Sequence, residues 1–407
     1  MWSRARSILV VLVLAACQSA PSPPVVYRPV APAPQPVPPK PQLPRWESPS
    51  DFADLPDWPD VPLGAAVEAF GRSCGKFATR NVDEPVSKAA PWAGKVADWA
   101  GPCGAISAAR NEDEARALFE QTFLPIEVVS PDGESRFTGY FEPTYEARYT
   151  PTPPFTEPVP ALPADLIPNG EHPLQQLRGG RTRPYPERAD ITNAGVRAIA
   201  YAHPADVFFL QIQGSGRLVF PDGSTMRAVY AANNGHAFKS TANWLIQTGR
   251  ISRGEATMQG IRAWMDRAGP AETRRAMNQN PRFVFFKAMP EGDPALGPDG
   301  AQGVPLTALG SMAVDTSLHP LGVPMFIQTS SPGLGGDWKG LLIAQDTGGA
   351  IKGAVRGDIF FGTGPEAGKR AGVTNSPGRL WIFLPRPVAE RMRAEGYASL
   401  PFAPAAP

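Results

Sequence analysis

The 407-residue sequence predicts a mainly β body with some helices, on three observations. From Pro281 onward, short apolar runs alternate with glycine and proline turns, the pattern of a small barrel or sandwich. Asp315, Asp346 and Asp358 stand at the ends of such runs, although aspartates are poor strand formers and a buried carboxylate is costly unless paired or protonated. Few segments carry helical spacing, and no internal repeat recurs at a fixed period.

Taken in order, the chain opens with Arg4 and Arg6, an apolar run from Ile8 to Val13, and Leu14-Ala15-Ala16-Cys17. A basic start, a short apolar stretch and small residues make a secretory signal peptide. A cysteine after the small pair matches the bacterial lipoprotein cleavage box, so residues 1–16 are expected to be removed and Cys17 to be lipidated. Gln18, in place of an aspartate, points to delivery to the outer membrane, facing the periplasm. Residues 17–48 form a proline-rich linker that favours the extended polyproline conformation and acts as a semi-rigid spacer.

The remaining body, about 340 residues, is long enough for two domains. With 39 Lys and Arg against 38 Asp and Glu, charge argues for neither nucleic acid nor an acidic polymer as partner. Cys74 and Cys103 are the pair left after Cys17, and an exported chain is expected to join them in a disulfide. There is no CxxC or histidine-rich pattern, and no metal or cofactor is expected.

Helices are expected at Val61–Cys74 and Asn111–Leu124, the second capped by Asn111 with Glu114 three residues on. Ser135–Glu142 reads as a strand, and Pro143–Pro186 as long surface loops. Asp206–Val219 reads as a strand pair turned by Gly214-Ser215-Gly216. Helices follow near Thr241–Gly249 and Met258–Arg267, then a buried strand at Pro281–Lys287. Ala308–Val314, Pro324–Gln328, Gly340–Gln345, Asp358–Phe361 and Arg379–Leu384 are the later strands.

Two motif readings fail on spacing. Asp346-Thr347-Gly348 and Asp315-Thr316-Ser317 resemble the paired triplets of aspartic proteases, but the 31 positions between them leave no room for a lobe. Gly362, Gly364 and Ala367 match a dinucleotide fingerprint, yet no acidic residue follows about twenty positions on and no βαβ unit is evident.

Six words carry a more specific resemblance: FTGYFEP (137–143), QIQGSGRL (211–218), NNGHAFKS (233–240), NQNPRFVFFK (278–287), DTSLHPLGVP (315–324) and the closing run 344–385. Together, in this order, they resemble the membrane-bound lytic transglycosylase A family of murein-degrading lipoproteins, over roughly residues 50–390. The resemblance implies a double-psi β-barrel domain (residues 49–141 and 280–390), an inserted smaller β-rich domain (142–279), a substrate groove between them and a tail at 391–407.

It also implies lytic cleavage of the β-1,4 bond between N-acetylmuramic acid and N-acetylglucosamine, with the muramic C6 hydroxyl closing a 1,6-anhydro ring. A single residue, Asp358, would act first as acid and then as base, with Asp346 and Asp315 in support. The apolar neighbours Ile359, Phe360 and Phe361 and a nearby second carboxylate are expected to raise the pKa of Asp358. Asp315 and Asp346 have turn-capping as an alternative role. Thr138, Tyr140, Gln211, Gln213, Ser215, Gly216, Asn234 and Lys239 are the candidate sugar contacts. The expected partners are peptidoglycan strands, a membrane reached through the lipid anchor, and other cell-wall enzymes. A hydrolytic muramidase and a non-catalytic peptidoglycan-binding lipoprotein remain as rival readings.

Overall fold

The computed structural model describes residues 45–46 and 51–395. Cys17 and the proline-rich segment through Pro44 lie outside the described residues.

Three helices, Gly64–Phe77, Val96–Ser107 and Glu112–Thr122, begin the body. The Asn111 side chain accepts a hydrogen bond from the Glu114 amide at 2.9 Å, satisfying an otherwise unpaired N–H of the first turn. Glu112, Asp113 and Glu114 add negative charge at the positive end of that helix. The third helix stops at Thr122, and Phe123 opens a strand. Its buried ring packs against Phe70 and Trp99 of the first two helices. A disulfide joins Cys74 to Cys103 and ties those two helices together. The second helix has little polar–apolar periodicity to betray it in the sequence and carries Pro102 inside.

The largest sheet has nine strands, in the spatial order Arg45–Trp46, Phe123–Val129, Gly378–Pro385, Pro324–Ser331, Gly336–Asp346, Ser311–Ala313, Val355–Thr363, Ser135–Glu142 and Asn375–Ser376. Its apolar side chains and the three helices make one continuous core. A second sheet of six strands runs Val284–Pro290, Thr225–Asn233, Ser215–Val219, Thr144–Arg148, Ala198–Ala202 and Glu157–Pro160. It has its own core, shared with helices Pro204–Gln213, Thr241–Gln247 and Met258–Met277. The chain therefore crosses between sheets at Pro143, between strands Ser135–Glu142 and Thr144–Arg148. Val284–Pro290 pairs with Thr225–Asn233, so the return crossing follows Pro290 and not Gln279.

Asp206–Val219 departs from the expected strand pair. Pro204–Gln213 is a helix, and only Ser215–Val219 is a strand. Its boundary signals are orthodox: His203 caps it, Pro204 occupies the first turn, and Gly214 ends it in the left-handed region at φ 86°. Val207, Phe208, Phe209 and Leu210 are all buried, so the helix shows no polar face to reveal its period.

Both crossings meet at Glu142, the last residue of its strand and only 1% exposed. Its carboxylate lies 3.3 Å from Arg217 Nη2 and 3.1 Å from Arg227 Nε, both from the second sheet. The Thr363 hydroxyl of the Asp358 strand donates to it at 2.9 Å. Arg217 also pairs with Glu291 at 2.6 Å, and Arg227 donates to the Leu296 carbonyl, which holds the returning chain. Removing the charge in Glu142→Gln leaves two guanidinium groups under-compensated. Urea unfolding of that variant is expected to show a loss of about 3 kcal/mol, the low end for breaking a buried pair.

Candidate active site

Strand register brings the aspartates to one place. Asp358 is aligned with Thr138 on one side and Ala313 on the other, and Ala313 is in turn aligned with Asp346. Cross-strand partners project to the same face of a sheet, so Asp346, Ala313, Asp358 and Thr138 form a row across four strands. Two strand spacings, roughly 10 Å of backbone, separate the two carboxylate-bearing residues. Ala313, between them, carries the smallest side chain of the row. A Cβ at Gly357, immediately before Asp358, would run into the Met312 sulfur and the Phe137 ring, so the strand approaches its neighbours that closely only with glycine there.

The Asp358 carboxyl is held on one oxygen. The Thr138 hydroxyl donates to Oδ1 at 2.5 Å, and Arg356 Nη2 donates to the Thr138 oxygen at 2.8 Å. An arginine can only donate, so Thr138 accepts from it and keeps its own proton for Asp358. Oδ2 is thus the oxygen left to carry an acidic proton. Burial pushes the Asp358 pKa up, with the Thr138 bond and the Arg356 charge pulling down and the Asp346 charge pushing up, for a net rise.

Asp346 is held more fully. Its Oδ1 accepts from the amides of Ala301 and Thr347, both at 2.9 Å, and its Oδ2 from the Tyr140 hydroxyl at 3.0 Å. Burial again raises its pKa, opposed by those three donors. Tyr140 is pushed well above the ordinary phenol range, first by burial and then by the Asp346 charge, and stays a donor. Its ring packs 5.2 Å from that of Phe360.

Asp315, 3% exposed, is a brace. It accepts from the Ser317 amide and hydroxyl, from the Gly353 amide at 3.0 Å and from Lys352 at 3.4 Å. Burial raises its pKa, but these donors together outweigh it and leave the carboxyl below the ordinary value. Nearby, the buried His319 bonds the Ala354 carbonyl at 2.7 Å. The two residues fasten the 347–354 segment that links the Asp346 strand to the Asp358 strand, so Asp315 matches the turn-capping alternative.

Residues 136–287 match the family model described as the MltA specific insert domain, and residues 310–384 match that of the 3D domain. Membrane-bound lytic murein transglycosylase A of Escherichia coli K12 is 36% identical over 268 residues, covering 63% of this chain and 67% of the relative. The chain belongs to the membrane-bound lytic murein transglycosylase A family. A solved family structure from Agrobacterium tumefaciens superposes with a TM-score of 0.71 at 30% identity, covering 84% of this chain and 99% of that one. The E. coli MltA structure with bound chitohexaose gives 0.61 at 27% identity, covering 85% and 95%. The nine-stranded sheet thus carries the 3D domain of the MltA fold, and the six-stranded sheet falls within the MltA insert match except for the end of Val284–Pro290, which runs past residue 287.

The remaining candidates divide. Thr138 and Tyr140 stand in the aspartate site as hydrogen-bond donors to carboxylates. Ser215 is half-buried on the strand face shared with Arg217, Gln213 is exposed at the helix end, and Lys239 is exposed on a loop. Three candidates are corrected. Gln211, 6% exposed, accepts from Arg188 and donates to the Val284 carbonyl. Asn234, 2% exposed, bonds the Pro186 and Pro281 carbonyls and the Phe283 amide. Gly216 is buried where a Cβ would meet Leu210 and Pro143. These three hold the insert together and have no surface for a sugar.

Arg356, which the sequence leaves open between a substrate contact and a solvated loop charge, is 9% exposed and lies in the strand of Asp358. It stands two residues before Asp358 on one strand, and period-two alternation would have placed both on the same face. Because Asp346 and Asp358 bind protons more tightly folded than unfolded, their contribution to stability is full at low pH and is lost as pH rises through the raised values. Carboxyl NMR titration should place the Asp358 midpoint higher in Thr138→Val and Arg356→Gln, which remove lowering influences. Asp346→Asn removes a raising one and should move it lower.

Proposed function

We propose that the chain is a peptidoglycan lytic transglycosylase in which Asp358 alone moves both protons. The reading is carried by one observation: a half-buried carboxyl with its pKa raised, one oxygen fixed by Thr138 and the other left to hold a proton.

Protonated Asp358 gives its Oδ2 proton to the glycosidic oxygen as the bond from the muramic anomeric carbon to that oxygen breaks. The carboxylate then takes the proton of the muramic C6 hydroxyl as its oxygen bonds the anomeric carbon, closing the 1,6-anhydro ring. Atoms balance without water, so no second carboxylate is needed to activate one. An internal nucleophile also brings the proximity advantage of an intramolecular reaction. Arg356, acting through Thr138, stabilises the carboxylate in the interval. The three donors on Asp346 favour its ionised form against burial, and an ionised Asp346 favours the protonated form of Asp358 and the positive charge developing on the sugar ring.

The glycan lies along the aspartate row beside the insert, with Ser215, Gln213 and Lys239 as its contacts there. The lipid on Cys17 and the proline-rich spacer place the enzyme on the outer membrane facing the periplasm, where other cell-wall enzymes are its candidate partners. The curated relatives are named membrane-bound, and among the described residues no helix is long and apolar enough to cross a membrane.

Digestion of purified sacculi tests the reading. Wild type should release muropeptides lighter by one water than a hydrolase would release. Asp358→Asn should slow release by about a thousand-fold, within the range for loss of a general acid–base. Reducing ends in the product would make the enzyme a muramidase, and unchanged release by Asp358→Asn would remove this residue from the chemistry.

A further inference from the structure

Side chains alternate along Ser135–Glu142, so Thr138, Tyr140 and Glu142 share the aspartate face and Phe141 points the other way. That reverse face is covered by the helix Pro365–Gly372, where a Cβ on Gly368 would collide with the Phe141 ring. A cavity of about 460 Å³ opens there, between this helix and helices Pro204–Gln213 and Met258–Met277. None of the aspartate-site side chains lines it. Its size suits a small ligand.

The polar groups inside it are incompletely used. Tyr145 is 8% exposed, and its buried hydroxyl has no hydrogen-bond partner. Buried tyrosine hydroxyls normally find one. Asp206 pairs with Arg262 through Oδ1 and Nη1, which leaves Oδ2 and Nη2 to other partners. The remaining charges at the rim are paired: His203 with Asp266 at 3.2 Å, and Glu146 with Arg148 at 3.6 Å. Such a lining favours a ligand that is neutral overall yet carries one positive and one negative group.

We propose that this cavity binds a free amino-acid head group, an ammonium and a carboxylate on one carbon, at the end of an aliphatic chain. The ammonium sits on Asp206 Oδ2 and the carboxylate on Arg262 Nη2. The Tyr145 hydroxyl accepts from the first and donates to the second, and Phe141, Phe155 and Phe209 wall the methylenes. Murein stem peptides built on a diamino dicarboxylic acid offer such a head when they are not cross-linked. That source rests on the transglycosylase reading, whereas the binding does not.

Calorimetry on the purified protein decides the matter, with mono-N-acetylated diaminopimelate as probe. N-acetyl-2-aminopimelate lacks the ammonium and Nα-acetyl-lysine lacks the adjacent carboxylate. Each should bind at least about ten-fold more weakly, as expected when a buried charged group loses its partner. Asp206→Asn should lose binding to the same extent. Tyr145→Phe removes only the idle hydroxyl and should weaken binding about three-fold or more, which keeps the test decisive if Asp206→Asn fails to fold. Asp358→Asn should bind the probe as wild type does. Equal affinity for the three probes, unchanged binding by Tyr145→Phe, loss of binding in Asp358→Asn, displacement by chitobiose or absence of binding would each overturn the proposal. Loss of anhydro products with probe binding intact would overturn the transglycosylase reading alone.

Discussion

Glu142 is the residue on which the two sheets depend. A carboxylate withdrawn from water is tolerable only where cations and donors replace its hydration. Here Arg217 and Arg227 come from the insert and Thr363 from the strand that bears Asp358. Glu142 also accepts the Gly364 amide on its own carbonyl at 2.9 Å, so its strand is tied to the aspartate strand beyond the ladder itself. One charge thereby fixes the crossing chain, the returning chain and the end of the catalytic strand. The orientation of the insert against the aspartate row follows from this cluster.

Two carboxylates of the same residue type acquire different tasks from their donors. Asp346 has every oxygen engaged by a fixed donor, two of them backbone amides that cannot rotate away. Asp358 has one oxygen engaged and one open. Burial favours the protonated form of both, but only Asp358 has somewhere useful to put the proton. The third aspartate, Asp315, is occupied with loop amides and supplies geometry in place of chemistry.

Much of this was legible in the sequence, and the residues show why. Ser135–Glu142 was readable because its aromatics and threonine alternate around a glycine, and Asn111 because a cap three residues before a glutamate is a local signal. Helix Pro204–Gln213 was missed because a segment buried on all sides has no period, although its proline and glycine brackets were present. Helix Pro365–Gly372 is short and carries two glycines, which weakens its helical signal in the sequence. Gln211 and Asn234 show a second limit. An amide suited to reading a sugar is equally suited to satisfying a buried arginine or carbonyl, and only tertiary packing tells the two apart. The Asp346–Ala313–Asp358 alignment was out of reach, since it depends on register between strands distant in sequence.

The bond between Cys74 and Cys103 reaches further than the two helices it joins. Helix Gly64–Phe77 presents the Ala69 carbonyl and the Ser73 hydroxyl to the Gln345 amide, at 2.7 and 2.8 Å. Gln345 immediately precedes Asp346 in the chain, so a covalent staple on one surface anchors the strand end that carries the neighbouring carboxylate. Reducing the bond removes that staple. Without it, the Ala69 and Ser73 contacts to Gln345 rest on packing and hydrogen bonds alone.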